Sequence, residues 1–184
     1  MQSYKKHIKG GKKLEELVER AKEKDEVAFA KLIKNIEKEL YVVAKARLND
    51  KEDIGDAMQE TIFKGYRNIN KLKNNYSFKP WIIKILINEC NHIYKKKEHT
   101  ISYDDKEMEK YIANVENNED LEFDLLIKDL NYEEKTILTM YYCSKYTTKE
   151  IGQILNKKEN TIKSKISRSK EKLRNKLLKE GEMV

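Results

Sequence analysis

Apolar positions recur at three- and four-residue spacing along the first hundred residues, which is typical of amphipathic helices. The first two helices are predicted around Leu14, Leu17, Val18 and Ala21, and around Phe29, Leu32, Ile33, Ile36 and Leu40. A third helix is expected to start after Asn49 or Asp50, either of which can cap it, and to end near Asn70. Its buried stripe is predicted to be Ile54, Met58, Ile62, Tyr66 and Ile69. With one Pro and six Gly in 184 residues the chain has few helix breakers, so the predicted fold class is all-α.

The predicted third helix carries acidic residues on the side away from its apolar stripe. They are Asp53, Asp56 and Glu60, with Gln59 beside them. Like charges at this spacing repel one another. Asp53 and Asp56 lie in the first turns of the helix, where negative charge offsets the helix dipole. Dipole compensation is one explanation of the cluster, and a docking face for a basic partner is the other.

A polar loop from Lys71 to Pro80 leads into a fourth helix, which is expected at about Phe78 to Lys97. One side of this helix is mostly apolar, with Ile82, Ile85, Leu86, Glu89 and Ile93. The other side is a strip of Trp81, Lys84, Asn88, Asn91, His92 and Lys95, and the loop adds Lys73 and Tyr76. Such a surface suits a nucleic acid strand, because rings stack on unpaired bases, amides read base edges and lysines neutralise phosphates. A lone Trp beside two isoleucines is more often a core residue than a stacking platform, although its ring can serve both purposes by presenting one edge.

Two short helices joined by a tight turn are predicted near the C-terminal end, in the arrangement of a helix-turn-helix. Capping-box pairs mark the start of a preceding helix and of the first helix of this pair, at Asn131 with Glu134 and at Thr147 with Glu150. The turn is expected at residues 156–159, and the second helix from Asn160 to about Leu178.

This second helix is strongly basic, with ten basic residues against two Glu between Lys157 and Lys179. Its buried stripe is predicted to be Ile162, Ile166, Leu173 and Leu177. The outward residues near its start are then Asn160, Thr161, Lys163, Ser164, Ser167 and Arg168. A DNA recognition helix contacts base edges and phosphates with this part. A packing helix with a solvated basic face is the alternative.

The distribution of charge predicts two helical domains separated by an acidic segment. The net charge of +7 points to a polyanion or an acidic surface as a partner. Residues 104–129 hold ten acidic residues against three lysines, and a basic cluster at residues 95–97 lies just before them. We therefore predict a helical domain at residues 12–97, an acidic flexible linker at 98–120 and a second helical domain at 121–180.

Catalytic, metal-binding and membrane functions have little support in the sequence. The segment at residues 10–13 lacks the spaced glycines and the Ser or Thr of a phosphate-binding loop. The histidines have no partner at metal-ligand spacing: His7, His92 and His99. Cys90 and Cys143 form neither a disulfide framework nor a metal-binding pair, as is usual in a reducing cytoplasm. No apolar run approaches the ~20 residues of a membrane span, and the basic N-terminus lacks a secretory signal. We expect a cytoplasmic protein that is not an enzyme and needs no cofactor or metal.

Four segments, at residues 53–63, 78–88, 148–152 and 161–170, resemble in order and spacing the hallmark segments of bacterial sigma factors of the extracytoplasmic-function subgroup. The likeness spans about residues 14 to 178. It implies two helical domains, known in the family as region 2 and region 4, joined by a linker. It also implies a protein that binds RNA polymerase core, directs it to promoters and promotes DNA melting.

The resemblance also implies a role for each set of residues. Asp53, Asp56, Gln59 and Glu60 would dock on basic clamp helices of polymerase core. The loop and strip residues would melt and read the minus-ten promoter element: Lys73, Tyr76, Trp81, Lys84, Asn88, Asn91, His92 and Lys95. The outward residues of the basic helix would read the minus-thirty-five element as duplex. The acidic linker would run through the RNA exit path, and an anti-sigma partner, in some cases membrane-bound, would regulate the protein.

Three positions depart from the family pattern. His92 stands where Asp is common, which leaves the minus-ten specificity open. Gly152 stands where Ala is common. Lys158 replaces Ser at the expected cap of the basic helix, which weakens that cap by ~1 kcal/mol. The main alternative function is a helix-turn-helix regulator that acts without polymerase core, and a general polyanion-binding protein is a third.

Overall fold

The computed structural model describes residues 13–100 and 118–181, with side chains described at 13–97 and 123–179. Within these ranges the chain forms helices and turns and no β-strand, so the all-α prediction is confirmed. The chain divides into two compact units, Met1–Lys96 and Lys97–Val184.

The described part of the first unit contains five helices. They are α1 (residues 13–22), α2 (Glu26–Lys34), α3 (Glu37–Lys45), α4 (Lys51–Asn68) and α5 (Phe78–Thr100), with short 3₁₀ turns at Ile69–Lys71 and Asn75–Ser77. The largest side chains of its core are fully buried: Leu32, Leu40, Ile69, Phe78, Ile82, Ile83 and Leu86. The Phe29 ring meets Tyr66 and Phe78 edge-on, with ring centroids 5.2 and 6.5 Å apart. These two ring contacts join α2, α4 and α5 in one aromatic cluster.

The second predicted helix is divided into α2 and α3. The Asp25 side chain caps α2 by accepting a hydrogen bond from the Ala28 amide (2.9 Å). A turn at residues 35–36 then separates the two helices, and the Ile36 amide donates to the Ile33 carbonyl oxygen (2.9 Å). Ile33, Ile36 and Leu40 are all buried across this break. Apolar spacing alone therefore did not reveal it.

The start of α4 confirms one of the two predicted caps. The Asp50 carboxylate accepts hydrogen bonds from the amides of Glu52 (2.9 Å) and Asp53 (3.1 Å). Asp50 is therefore the N-cap, and α4 ends at Asn68, close to the predicted Asn70.

The buried stripe of α4 lies partly on small residues. It consists of Ile54, Ala57, Thr61 and Gly65, whereas the predicted Met58, Ile62 and Tyr66 are only half-buried. A Cβ atom on Gly65 would lie 2.5 Å from Ile82 Cδ1 and 3.3 Å from Phe29 Cζ. These side chains pack directly on the α4 backbone, which leaves no room beside it for a large residue. The Thr61 hydroxyl is satisfied inside the helix, since it donates to the Ala57 carbonyl oxygen (2.6 Å).

The long helix α5 begins at the predicted Phe78 and carries Pro80 in its first turn. Its buried face is formed by Phe78, Ile82, Ile83, Leu86, Ile87 and Cys90. The predicted Ile85, Glu89 and Ile93 lie half-buried at the edge of that face. Burial raises the pKa of the Cys90 thiol to about 12.

The second unit contains α6 (Asn118–Ile127), α7 (Tyr132–Leu138), α8 (Thr148–Leu155) and α9 (Glu159–Gly181), and a π-helical turn at Thr139–Cys143 extends α7. Both predicted capping boxes are present. Asn131 Oδ1 accepts from the Glu134 amide (2.9 Å), and Thr147 Oγ1 accepts from the Glu150 amide (3.2 Å). Each Glu carboxylate in turn accepts from the amide of its capping residue. The helices therefore start where the sequence predicted.

Helix α9 packs against α7 and α8. Ile162, Ile166 and Ser169 are buried and Leu173 is half-buried. The predicted burial of Leu177 is wrong, because its side chain is 53% exposed. The last turns are held by ion pairs instead: Lys172 Nζ lies 2.6 Å from Glu134 Oε1, and Lys176 Nζ lies 2.5 Å from Asp129 Oδ2.

The predicted acidic linker covers residues 98–120. Residues 98–100 belong to α5 and residues 118–120 to α6, and residues 101–117 lie outside the described part of the chain.

Candidate functional site

The predicted docking residues lie along one side of α4. Asp56, Gln59 and Glu60 are exposed, and Asp53 is half-buried one turn earlier, beside the Asp50 cap. The exposed three are spaced at i, i+3 and i+4, so they share a helix face. We call this face, Asp56, Gln59, Glu60 and Phe63, the α4 stripe.

Glu60 is held by a cation from its own helix. Lys64 Nζ lies 3.1 Å from Glu60 Oε1 and 2.6 Å from Glu89 Oε2 on α5. The hydrogen bond to Glu89, reinforced by Glu60, raises the pKa of Lys64. Lys64 thus reduces the repulsion that the sequence predicted among the carboxylates, and it links Glu60 on α4 to Glu89 on α5.

Phe63 is a member of the α4 stripe that the sequence reasoning missed. It follows Gln59 and Glu60 at i+4 and i+3, and its side chain is 59% exposed. A large exposed aromatic residue among polar neighbours is typical of the anchor of a protein interface. Its spacing from the carboxylates was visible in the sequence, but an aromatic residue near isoleucines suggests a core position first.

The predicted loop residues lie between α4 and α5, and both Lys73 and Tyr76 are exposed. Asn74 caps the 3₁₀ turn by accepting from the Tyr76 amide (3.0 Å). The Tyr76 hydroxyl donates to Glu15 Oε2 on α1 (2.8 Å), and this hydrogen bond raises the pKa of the Tyr76 phenol. This contact could not be predicted from the sequence, because Glu15 and Tyr76 are 61 residues apart.

The predicted strip on α5 is largely open. Lys84, Asn88, His92 and Lys95 are exposed, and Trp81 is half-buried. The Trp81 ring lies 6.1 Å from the buried Phe78 ring, centroid to centroid. Trp81 therefore contacts the core and retains an accessible part. This position is compatible with both interpretations of the residue, as a core side chain and as a platform for a base.

Asn91 differs from the rest of the strip. It is half-buried, and its Oδ1 accepts a hydrogen bond from Arg47 Nη2 (2.5 Å). Because the amide oxygen is already used, the Asn91 amide group has a fixed orientation with its Nδ2 side still able to donate. Arg47 is thus a supporting residue that the sequence reasoning missed, since 44 residues separate the two.

All six predicted residues at the start of α9 are exposed: Asn160, Thr161, Lys163, Ser164, Ser167 and Arg168. Ile162 and Ile166, between them in sequence, are buried on the opposite face. Ser164 Oγ donates to the Asn160 carbonyl oxygen (2.9 Å), and Lys163 Nζ lies 2.8 Å from Glu159 Oε1. The predicted outward surface and the predicted packing face are therefore separated on the helix.

The turn between α8 and α9 is tight. Asn156 takes a left-handed conformation (φ 54°), and the Lys157 amide donates to the Gly152 carbonyl oxygen (2.8 Å). A Cβ atom on Gly152 would lie 2.7 Å from the Lys157 carbonyl oxygen, too close for any side chain without a backbone shift. This contact explains why Gly152 stands where Ala was expected. Because α9 begins at Glu159, Lys158 occupies the predicted cap position.

The described residues offer neither a metal-binding cluster nor a membrane-spanning helix. Residues 13–100 and 118–181 contain no cluster of His, Cys, Asp or Glu that could hold a metal ion. In the same ranges no helix is long and apolar enough to cross a membrane. His92 is exposed on α5, whereas His7 and the side chain of His99 lie outside the described residues, as does most of the glycine-containing segment at residues 10–13.

Models of two protein-family regions match the chain in the order of its two units. Sigma-70 region 2 matches residues 28–100, and Sigma-70, region 4 matches residues 120–173. The chain belongs to the sigma-70 family. The first match contains the α4 stripe, the loop and the α5 strip, and the second contains α8 and the exposed start of α9.

Curated relatives of this sigma factor are similar over most of their length. RNA polymerase sigma factor SigV of Bacillus subtilis (strain 168) is 25% identical over 143 residues, covering 77% of this chain and 86% of SigV. The ECF RNA polymerase sigma factor SigW of the same strain is 25% identical over 180 residues, covering 87% of this chain and 94% of SigW. ECF RNA polymerase sigma-E factor of Haemophilus influenzae is 24% identical over 181 residues, covering 88% and 93%. These relatives place the chain in the extracytoplasmic-function (ECF) subgroup.

Two solved structures share the fold. The structure of CnrH in complex with the cytosolic domain of CnrY superposes with a TM-score of 0.69 at 15% identity, over 90% of this chain and 97% of that chain. The co-crystal structure of the sigma factor RpoE in complex with the anti-sigma factor NepR from Bartonella quintana gives a TM-score of 0.65 at 17% identity, over 81% and 96%. Both support the all-α sigma-factor architecture.

Proposed function

We propose that this sigma factor binds RNA polymerase core with the α4 stripe and binds promoter DNA with α5, its loop and α9. The observation that carries the DNA assignment is the division of α9. Its six predicted contact residues are exposed, whereas Ile162, Ile166 and Ser169 bury the other face. The division supports a recognition helix held in place by its own core, as in helix-turn-helix proteins.

The α4 stripe supports docking on a basic surface of the polymerase. Asp56 and Glu60 present negative charge in a chain whose net charge is +7, so a basic partner is attracted to this face and repelled by most others. Phe63 adds an exposed aromatic anchor beside the two carboxylates. Charge would set the orientation of the partner, and burial of the ring would supply affinity.

The minus-ten element is assigned to the loop and the α5 strip. Tyr76 and Trp81 offer rings on which unpaired bases can stack, at ~1–3 kcal/mol per base. Lys73, Lys84 and Lys95 can neutralise phosphates along the same surface. Capture of unpaired bases stabilises the open promoter, and the polymerase carries out the chemistry. We accordingly assign this sigma factor a binding role without catalysis of its own, in the bacterial cytoplasm where its polymerase works.

The minus-thirty-five element is assigned to the start of α9. Asn160, Thr161, Ser164 and Ser167 can hydrogen-bond to base edges or phosphates, and Lys163 and Arg168 add charge. DNA phosphate at the amino end of α9 would also compensate for the missing side-chain cap at Lys158.

The domain boundaries and an anti-sigma partner complete the proposal. We assign minus-ten and core binding to residues 12–97 and minus-thirty-five binding to residues 121–180, with residues 98–120 as the acidic linker through the RNA exit path. The two solved structures described above are both complexes, one of them with an anti-sigma factor. A regulator of that kind, free or membrane-bound, is therefore expected for this chain.

Run-off transcription with a bacterial polymerase core, with and without this chain, tests the function directly. We expect the chain to create new start sites on a library of promoter fragments. Asp56→Lys with Glu60→Lys should abolish co-purification with core and remove these transcripts. Glu23→Lys, a reversal of an exposed carboxylate at the end of α1, is the matched control.

The outcomes separate the candidate functions. Unchanged start-site choice with retained sequence-specific duplex binding would favour a helix-turn-helix regulator. Binding without sequence preference at every salt concentration would favour a general polyanion-binding protein. Core binding that survives the double charge reversal would refute the role of the α4 stripe.

A further inference from the structure

Helix α1 is connected to the loop before α5 through carboxylate groups. The Tyr76 hydroxyl donates to Glu15 Oε2 (2.8 Å), while the Tyr76 side chain remains 58% exposed. The phenol end of the ring is therefore fixed and the rest of the ring is open to solvent. A ring held in this way can receive a base without first losing its own conformational freedom.

A second connection lies one turn along α1. Asn75 Nδ2 donates to Glu19 Oε1, and Lys22 Nζ donates to Asn75 Oδ1 (2.6 Å). The hydrogen bond from Asn75 is the main cause that lowers the pKa of the Glu19 carboxyl. Both polar atoms of the Asn75 amide are thus bound to α1. The two contacts fix neighbouring residues of the loop to the same face of one helix.

The turn that carries Asn75 and Tyr76 is otherwise closed by local hydrogen bonds, from the Tyr76 amide to Asn74 Oδ1 (3.0 Å) and from the Ser77 amide to the Asn74 carbonyl oxygen (2.9 Å). The 3₁₀ turn Asn75–Ser77 has three residues, none of them buried. Short exposed turns with few apolar contacts are among the least stable parts of a protein and exchange between conformations. The hydrogen bonds to α1 therefore restrict a segment that would otherwise be free to change shape.

The sign of the charge argues against a direct role of these carboxylates in DNA binding. Glu15 and Glu19 would repel phosphates near a surface assigned to a nucleic acid strand. Their carboxylates instead accept hydrogen bonds from the loop, where Tyr76 and Asn75 place donors. Both glutamates therefore act on the strand through other residues.

We propose that Glu15 and Glu19 are positioning residues that hold Tyr76 and Asn75 in the conformation that captures an unpaired promoter base. This inference rests on the proposed function, since it requires that the loop bind single-stranded DNA. It adds α1, to which the sequence reasoning assigned no role, to the minus-ten surface.

The test measures binding of the full chain, with polymerase core, to a fluorescently labelled single-stranded DNA pool of randomised sequence. Glu15→Ala should weaken binding about fivefold, the loss expected for one hydrogen bond. Glu15→Gln should stay within about twofold of the unchanged protein, since its amide oxygen still accepts from the phenol. Glu16→Ala, which removes an adjacent exposed carboxylate, is the matched control for charge.

Tyr76→Phe separates positioning from direct contact. It keeps the ring and loses the hydroxyl, so it should weaken binding as much as Glu15→Ala, and the double variant should be no weaker than either single variant. Additive losses would mean that the hydroxyl contacts the strand itself. That result would overturn the inference.

Two further results would overturn it. Equal affinities for Glu15→Ala and Glu15→Gln would show that the hydrogen bond has no role, and tighter binding by Glu15→Ala alone would show that α1 obstructs the loop. Far-UV circular dichroism and duplex binding through α9 check that each variant is folded. If the unchanged protein with core fails to bind the single strand, the proposed function of the loop is refuted. If all variants bind the strand equally well, only the positioning role of α1 is refuted.

Discussion

Replacing Lys158 with Ser tests the local origin of the recognition helix α9. Helices α7 and α8 begin with side-chain caps at Asn131 and Thr147, whereas lysine has no oxygen with which to accept from the first amides of α9. The Lys158 carbonyl oxygen accepts instead, from the amides of Thr161 (2.9 Å) and Ile162 (3.2 Å). A serine hydroxyl would supply the missing acceptor.

The size of the effect follows from the capping geometry. Serine at an N-cap stabilises a helix by about 0.5–2 kcal/mol relative to a residue that cannot cap. The Thr161 amide already has a backbone acceptor, so we expect a gain of about 1 kcal/mol at most. For a unit of this size, 1 kcal/mol raises the melting temperature by about 4–8 °C.

Urea denaturation followed by far-UV circular dichroism measures this gain. Lys158→Ala is the matched control, because both variants lose the same lysine and only serine can cap. Lys158→Ser should be more stable than Lys158→Ala. If Lys158 contacts a phosphate, both variants should reduce the slope of log binding constant against log salt concentration by the same amount, about 0.9. Equal stabilities of the two variants would refute the capping explanation.

Three other predictions follow from the surroundings of individual side chains. Ser169 is buried and its hydroxyl has no hydrogen-bond partner among the described residues. Ser169→Ala should therefore increase the free energy of unfolding by about 1 kcal/mol, measured as a higher urea midpoint. A lower midpoint would contradict this. Cys143 is exposed and Cys90 has a pKa of about 12, so iodoacetamide at pH 8 should label Cys143 first and Cys90 only on unfolding, as mass spectrometry can follow. Burial raises the pKa of Glu133, but the Lys165 and Lys157 ammonium groups, 2.9 and 3.0 Å from its carboxylate oxygens, together outweigh burial and the pKa is lowered. Because the folded-state pKa is the lower one, these ion pairs should stabilise the protein above pH 4.5 and lose their effect as pH falls through the folded pKa. That loss should be absent from acid unfolding of the double variant Lys157→Ala with Lys165→Ala.

Local signals accounted for the parts of the fold that the sequence could predict. The capping boxes at Asn131 and Thr147 need only residues three positions apart, and both are present. The same holds for Pro80 in the first turn of α5 and for the apolar spacing at the start of α9. These features depend on neighbours along one helix, and the sequence contains that information.

The errors came from contacts between distant segments. Gly65 is buried because Ile82 packs on the backbone of α4, and nothing within α4 marks that approach. Leu177 has the right spacing for burial, yet about half of its surface remains exposed, because spacing along α9 does not show where the neighbouring helices end. The support of Asn91 by Arg47 likewise depends on how α5 packs in the first unit, so the candidate surfaces could be predicted but not the residues that hold them.

The close approach at Gly152 has a consequence for protein engineering. A designer who wants this protein to recognise other promoters would exchange α9 for the corresponding helix of a relative. The Lys157 carbonyl oxygen leaves no space for an alanine at position 152, so a donor segment whose turn evolved opposite alanine would sit at a different angle on α8. A functional chimera should therefore take its junction before residue 152, so that the residue at this position, the turn and the helix all come from the same protein.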